Sequence, residues 1–165
     1  MRLTPTSHVV LGLVRWSPGI TAYELEQAVS STVTHMWTIQ RSQVYAEPAR
    51  LAAAGLLESA EDRDGRAKTR YTITEAGEAE FQAWLGDDLT RPPELRDMAF
   101  LKVFFGAEPR SIARRQVEFH ESRLRTYEVL RLAGVFAPEG PRTALEGAIA
   151  HERTSVEYWK RLLTD

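Results

Sequence analysis

The chain has 165 residues, of which 43% are hydrophobic and 27% are charged, and its formal net charge is −2. This length suits one compact domain, or a small domain with an appended module. Because the net charge is close to zero, any binding of nucleic acid would have to rest on a local basic patch. The absence of cysteine excludes disulfides, thiolate metal sites and cysteine nucleophiles.

Membrane insertion and secretion are not indicated by the sequence. The apolar run VVLGLV near the amino terminus is too short for the hydrophobic region of a signal peptide. No stretch approaches the roughly 20 apolar residues that a membrane-spanning helix needs. We therefore expect a cytoplasmic protein that does not associate with a membrane.

The first third of the chain predicts three short helices in series. The first covers about residues 7–16, with Thr6 as its cap, and ends before a Ser-Pro-Gly turn. The second begins at the tetrapeptide Thr-Ala-Tyr-Glu of residues 21–24, whose spacing fits a capping box. The third covers residues 39–54 and is closed by Gly55, a residue type that suits the position after a helix.

The period of the hydrophobic pattern changes after the third helix. Residues 56–60 and 69–74 are short strand candidates on either side of a polar loop. Tyr71 and Ile73 alternate with polar residues, so one face of that strand is expected to pack. Thr74 then starts a fourth helix. Three helices followed by two strands is the order of a winged helix-turn-helix.

The remainder of the chain is predicted to be helical. The prolines within residues 89–95 indicate a boundary, and the short apolar segment 95–105 is expected to be buried. Helices 110–132 and 143–163 carry near-heptad apolar stripes, which can pack on each other or on another chain. We favour dimerisation, because so few helices leave little local core to cover both stripes. The stripe residues expected at the dimer interface are Val117, Leu124, Tyr127, Ile149, Val156 and Trp159.

Catalytic and metal-binding patterns are missing from the sequence. The His-Glu pairs at 120–121 and 151–152 begin like H-E-x-x-H, but Leu124 and Ser155 stand where the second histidine is needed. No nucleophile elbow, P-loop or dinucleotide-binding motif occurs. We expect neither an enzyme nor a cofactor nor a metal site.

The third helix has an unusual outer face. With Val44 directed toward the core, Pro48 and Leu51 fall on the same side at 100° per residue. Small side chains with a few hydrogen-bonding groups fit a helix that enters the major groove, where methyl groups and amides meet base edges. The alternative is a plain alanine-rich helix surface. Either Thr38 or Ser42 could cap this helix. The opposite side carries Ser42, Ala46, Ala49, Arg50 and Ala53, with Gln43 at its edge.

A basic loop follows between the two strands. Residues 63–70 read RDGRAKTR, four basic side chains against one aspartate. The Asp-Gly pair at 64–65 predicts a turn at the tip of the loop. Basic side chains at such a position commonly hold phosphates or enter the minor groove.

Together these segments resemble the PadR family of bacterial transcriptional regulators. The likeness runs through VVLGLV, TAYEL, SQVYAEPARLAAAGLL, RAKTRYTITEAG and FQAWL, and RDMAFLKVFF resembles the start of the longer carboxy-terminal domain of the larger members. The resemblance implies a mainly α fold with a small two-stranded β-wing. Residues 1–89 would form the winged helix-turn-helix domain, and residues 90–165 a helical dimerisation domain.

The resemblance also implies a function and its residues. The chain would be a homodimeric repressor of a pseudo-palindromic double-stranded operator, released by a small aromatic or amphipathic effector. The alternative is a winged-helix module that binds other proteins and has no operator. Substituting Gln43 or Arg50 is expected to weaken operator binding while leaving stability nearly unchanged. The implied DNA-binding residues are Arg41, Ser42, Gln43, Tyr45 and Arg50 in the recognition segment and Arg63, Arg66 and Lys68 in the wing.

Overall fold

The computed structural model describes residues 2–61, 68–88, 95–136 and 138–164. The chain forms two compact units, Met1–Thr90 and Arg91–Asp165. The predicted wing contacts Arg63 and Arg66 lie outside the described residues, as does most of the predicted boundary segment.

The first unit has the element order expected of a winged helix-turn-helix, so the predicted fold class is confirmed. One difference is a third, two-residue strand that pairs antiparallel with the second strand of the hairpin, giving the sheet order β1-β3-β2. The elements are α1 (Pro5–Trp16), β1 (Ile20–Thr21), α2 (Ala22–Ser31), a 3₁₀ turn (Val33–His35), α3 (Arg41–Ala53), β2 (Leu57–Glu61), β3 (Thr69–Ile73) and α4 (Glu75–Leu85).

Side-chain caps set the starts of α1 and α2. The predicted capping box of α2 is confirmed, because Thr21 Oγ1 accepts from the Glu24 amide at 3.3 Å and Glu24 Oε2 accepts from the Thr21 amide at 2.8 Å. The predicted cap of α1 at Thr6 is wrong. Thr4 occupies that position instead, and the helix tolerates Pro5 in its first turn, where an amide donor is not needed.

The closure of α3 at Gly55 agrees with the prediction, whereas the start of the helix differs from it. The helix starts at Arg41 with Gln40 in the cap position, so neither Thr38 nor Ser42 caps it. At the other end Gly55 adopts a φ of 76°, and the amides of Gly55 and Leu56 donate to the carbonyls of Ala52 and Leu51. This is the Schellman arrangement that glycine permits.

A continuous apolar core fills the first unit. Helix α3 contributes Val44 and Leu51 to it, and both are almost completely buried. The predicted packed face of β3 is confirmed, since Tyr71 is buried and Ile73 packs against the core. The other buried members are Val10, Leu11, Leu13, Val14, Ile20, Leu25, Val29, Ile39, Leu56, Leu57 and Phe81.

The second unit contains α5 (Met98–Phe104), α6 (Pro109–Leu132) and α7 (Glu139–Thr164). Helices α6 and α7 pack as an antiparallel hairpin. One apolar cluster joins Val117 to Trp159, and another joins Tyr127 to Leu145 and Ile149. Between the two clusters, the buried carboxylate of Glu152 lies 2.6 Å from His120 Nδ1.

This hairpin changes the interpretation of the two stripes. Val117, Tyr127, Ile149 and Trp159 are buried inside the single chain, and Trp159 is only 1% exposed. The preference for packing these four side chains against another chain is therefore corrected, because the two helices cover each other's stripes. Leu124 and Val156 are half-buried on the same hairpin.

The prediction that segment 95–105 is buried is wrong for most of its apolar side chains. Ala99 is buried, and Phe100 and Val103 pack against the Trp159 cluster. The other side of α5 faces outward, with Phe104 81% exposed and Phe105 78% exposed. A seven-residue helix can bury only one side against a single neighbouring surface, and this segment is apolar on both.

We expect Gly77→Ala to destabilise the first unit strongly. Gly77 lies in the first turn of α4, where an added Cβ would approach the Leu56 carbonyl oxygen to 2.0 Å. Because backbone must move to relieve that overlap, the loss in the free energy of unfolding should be about 3 kcal/mol or more. Thermal and denaturant unfolding followed by circular dichroism measures it.

The control is Gly86→Ala at the other end of α4, where an added Cβ would have its nearest neighbour at 3.6 Å. That variant should remain within about 0.5 kcal/mol of the wild type. Equal stabilities for the two variants would show that α4 does not pack on the Leu56 carbonyl.

Candidate nucleic-acid interface

The outward face of α3 is the candidate surface. Val44, Pro48 and Leu51 are buried, which confirms the predicted core-facing side of the helix. The predicted outer residues Ser42, Gln43, Ala46, Ala49 and Ala53 are exposed. The exposed face therefore combines short side chains with hydrogen-bonding groups concentrated near the amino end of α3.

Gln43 has a secondary role at the start of the helix. Its Oε1 accepts a long hydrogen bond of 3.4 Å from the Gln40 amide. A bond of this length is weak, so the side chain can be redirected toward another partner at small cost.

Arg41, the first residue of α3, is held by a carboxylate from α2. Its Nε lies 3.1 Å from Glu26 Oε1, and its Nη2 donates to Glu26 Oε2 at 3.2 Å. The guanidinium lies over the Tyr45 ring, 5.8 Å from the ring centroid. Arg41 and Tyr45, both predicted to contact DNA, are thus brought together at one end of the candidate surface.

Arg50, predicted to lie on the outer side of α3, is half-buried and makes contacts that the sequence did not predict. Its Nε donates to Glu47 Oε2 at 2.9 Å, and its Nη2 donates to Ser7 Oγ at 2.8 Å and to Glu47 Oε1. Glu47 and Ser7 are both buried. Arg50 therefore connects α3 to α1, a contact that helical spacing alone does not show.

The charge of Glu47 depends on this contact. Burial by itself raises the pKa of Glu47, but hydrogen bonds from Arg50 and Ser7 outweigh burial and hold the pKa below its ordinary value. The carboxylate is therefore ionised at neutral pH. Glu26 and Glu47 consequently place one carboxylate beside each arginine of α3.

The described part of the wing is basic and lies beside the start of α2. Lys68 is exposed, and Arg70 Nη1 donates to the Gly19 carbonyl at 2.9 Å. The pKa of Glu24 is lowered, first by its hydrogen bonds from Thr21 and further by the charges of Arg70 and Lys68. These two cations are therefore close to the amino end of α2.

Three residues of this surface were not found from the sequence. Glu47 and Arg50 are three positions apart on one helix, so that pair could have been recognised. Glu26 is separated from Arg41 by fifteen positions, and Ser7 from Arg50 by forty-three. No spacing rule connects residues so distant in the chain.

Metal sites and membrane-spanning helices are not found among the described residues. Across the part of the chain that the structure describes, no group of three or more histidines and carboxylates is arranged to hold a metal ion. None of the described helices combines the length and the apolar character needed to cross a bilayer.

Comparison with known proteins supports the likeness found in the sequence. Residues 10–83, which include α2, α3 and the hairpin, match the transcriptional regulator PadR-like family. The matched residues lie within the first unit, which therefore resembles this family. The resemblance recognised from the sequence is thus confirmed, and a PadR-like chain is a transcriptional regulator rather than an enzyme.

Individual PadR-like relatives extend the likeness beyond the matched segment. The chain is 26% identical over 100 residues to the negative transcriptional regulator PadR of Bacillus subtilis, covering 59% of this chain and about half (54%) of that protein. The structure of B. subtilis PadR in complex with operator DNA superposes with a TM-score of 0.82 at 21% identity, covering 96% of each chain. The same protein in complex with p-coumaric acid gives a TM-score of 0.79 at 20% identity, covering 98% of this chain and 97% of the other. These superpositions establish a shared fold across both units.

We expect Arg50→Ala to destabilise the first unit of this PadR-like protein, contrary to the expectation from sequence. The substitution removes the guanidinium that donates to the buried Glu47 carboxylate, while Ser7 Oγ still accepts from the Thr4 amide at 2.8 Å. A loss of about 1–3 kcal/mol in the free energy of unfolding follows, because the buried carboxylate loses its charged hydrogen-bond donor. Chemical denaturation at pH 7 measures it.

The control is Arg15→Ala, which removes an arginine from the same unit. Arg15 pairs with Glu78 at 2.8 Å, and both side chains are more than one third exposed. An exposed pair contributes about 0–1 kcal/mol. If the two variants lose the same small amount, the contact from Arg50 to α1 does not stabilise the unit.

Proposed function

We propose that this PadR-like chain is a DNA-binding repressor that places α3 in the major groove. The observation that carries the proposal is the division of α3 into a buried side, with Val44 and Leu51, and an exposed side of short and polar residues. A helix anchored on one side can present the other side to base edges without moving relative to its domain.

The exposed side suits close approach to base pairs. Ala46 and Ala49 leave room for the groove floor, and their methyl groups can contact thymine methyl groups. Gln43 can pair with adenine through its amide, and Ser42 can bond to a base edge or a phosphate. These contacts would supply the sequence preference.

Phosphate binding would come mainly from the wing. Arg41 and Arg50 are each paired with a carboxylate, so α3 adds little net positive charge to the surface. Lys68 and Arg70 are exposed on the wing side of the unit. We propose that they hold phosphates together with Arg63 and Arg66, which supply positive charge that α3 lacks.

The chain would act on DNA as a homodimer. One winged helix covers few base pairs, so an operator with two half-sites requires two copies about 34–36 Å apart. The outward side of α5 offers a surface for the second copy, since exposed apolar patches of this kind mark interaction sites. Its exposed apolar residues are Leu95, Met98, Leu101, Phe104 and Phe105.

A small aromatic effector is the second part of the proposal. The complex of B. subtilis PadR with p-coumaric acid supports it. In this chain the second unit has a cavity of about 500 Å³, where the apolar side chains of Leu95, Met98 and Phe119 lie beside the polar side chains of Arg96, Asp97, Gln116, His120 and His151. Aromatic and apolar walls with a few polar groups are the usual lining of a small-molecule site.

The first test is whether the protein binds duplex DNA with an affinity that falls steeply as the salt concentration rises. We expect the wild type to enrich one duplex from a random-sequence library, and the logarithm of its affinity to fall linearly with the logarithm of salt concentration. Gln43→Ala should weaken binding to that duplex about tenfold, the equivalent of one lost base contact. Fluorescence anisotropy at several salt concentrations measures both effects.

Gln82→Ala on the exposed side of α4 makes the same change away from the candidate surface and should bind like the wild type. Should the protein bind no duplex in a salt-dependent manner, it is a winged-helix module for protein contacts instead. Unchanged affinity of Gln43→Ala would remove this residue from the recognition surface.

The dimer has its own test at α5. Phe105→Glu places a charge in the proposed interface and should convert the protein to monomer at micromolar concentration, because an unpaired buried charge is unfavourable. Sedimentation velocity measures the change. Trp159→Ala would not test the dimer interface, because the loss of a completely buried tryptophan destabilises the hairpin itself.

The control is Val129→Glu, an exposed position of α6. It should remain dimeric if the interface lies on α5. A monomeric Val129→Glu beside a dimeric Phe105→Glu would move the interface to the hairpin and contradict the assignment to α5.

A further inference from the structure

The carboxylate of Glu26 is buried and saturated with hydrogen bonds. The side chain lies on α2 and the residue is only 6% exposed. Oε1 accepts from Ser30 Oγ at 3.0 Å and lies 3.1 Å from Arg41 Nε. Oε2 accepts from Gln27 Nε2 at 2.9 Å and from Arg41 Nη2 at 3.2 Å. Two neighbours on its own helix thus hold the carboxylate in one orientation.

This arrangement engages one particular edge of the Arg41 guanidinium. A guanidinium has five N–H donors in a planar fork, and Glu26 takes the edge formed by Nε and Nη2. The edge formed by Nη1 and the second Nη2 hydrogen remains directed away from the carboxylate. The Arg41 side chain is 66% exposed, so this second edge can reach a ligand in solvent.

Tyr45 restricts the same side chain from a second direction. The guanidinium lies over its ring at 5.8 Å from the centroid, a cation–π distance. Arg41 is therefore held in plane by Glu26 and against one face by Tyr45. All three residues meet at the amino end of α3, beside the exposed Ser42 and Gln43.

We infer that Glu26 is a positioning residue for DNA recognition, which orients Arg41 so that its outer edge can form a paired hydrogen bond with a guanine. The inference rests on the proposed function, in which α3 faces the major groove. An arginine that is already ordered loses less side-chain entropy when it binds, and its planar fork must be aligned to make two bonds at once.

The carboxylate also has an opposite effect on non-specific binding. Glu26 is a negative charge close to the DNA-facing surface, so it weakens the general attraction to phosphates. Orientation strengthens contact with one sequence, whereas the charge weakens contact with all sequences. Glu26 thus increases the ratio of specific to non-specific affinity in two ways.

These two effects separate positioning from a merely structural role. Glu26→Gln keeps the shape of the side chain but removes its charge. We expect affinity for the duplex enriched by the wild type to fall about tenfold, the discrimination of one paired base contact. Affinity for a scrambled duplex of equal length should stay the same or rise. The specificity ratio therefore falls, and circular dichroism checks that the variant folds.

Glu80→Gln provides the matched control, because it makes the same charge change at an exposed position of α4. Its specificity ratio should equal that of the wild type. In Arg41→Lys the specificity ratio should fall as it does in Glu26→Gln, because an ammonium keeps the positive charge but cannot form the two parallel hydrogen bonds of a guanidinium. The double variant Glu26→Gln/Arg41→Lys should lose no more than either single variant, as expected of residues that act as a unit.

Each other outcome overturns the inference. An unchanged ratio in Glu26→Gln, or an equal loss on both duplexes with a lower melting temperature, would make Glu26 a structural residue only. If Glu26→Gln does not fold, an unchanged ratio in the exposed variant Arg41→Lys would overturn it as well. A wild type that enriches no duplex would instead contradict the proposed function itself, which separates the two failures.

Discussion

The packing of Val44 and Leu51 into the core of the first unit is the constraint on which the candidate surface depends. These side chains fix the rotation of α3 about its own axis, because turning the helix would expose them to water. Burial of each contributes about 1.5–3 kcal/mol. The opposite side is thereby left in solvent with alanines and short polar groups. A surface defined in this way is rigid, as the proposed contact with base edges requires.

Carboxylates control the electrostatics of that surface. Glu26 and Glu47 are both buried, and each is paired with an arginine of α3. Because of this local pairing, the two arginines of α3, the proposed recognition helix, add little net positive charge to a chain whose formal net charge is −2. In the proposed function the pairing also separates two tasks, which are hydrogen-bond readout at α3 and phosphate attraction at the wing. Proteins that must find one site among many benefit when non-specific attraction is limited.

In the second unit the main packing contact is between the two long helices. These helices cover each other's apolar sides in two clusters, and the His120–Glu152 contact lies between the clusters. Arg123 Nε also donates to Glu152 at 2.7 Å, so the buried carboxylate has a cationic partner. Helix α5 is left with more apolar surface than one neighbour can cover. That excess, rather than the stripes of the hairpin, is the surface that a second copy would bury.

The sequence by itself determined the order of the helices and of the two hairpin strands, the capping box at Thr21, the glycine turn at Gly55 and the buried side of α3. All of these depend on residues within one or two helical turns of each other, so local spacing is sufficient to predict them. It also showed the likeness to the PadR-like family, through motifs whose order spans most of the chain. Only the tertiary structure decided that Arg50 bonds to Ser7, that Glu26 holds Arg41, and that Trp159 is covered within its own chain. Those contacts join residues that lie far apart in sequence, and whether a side chain meets solvent, a neighbouring helix or a buried carboxylate depends on how the elements pack. A helical stripe shows that a face must be covered, but the same stripe fits any apolar partner, so the partner is chosen by the fold.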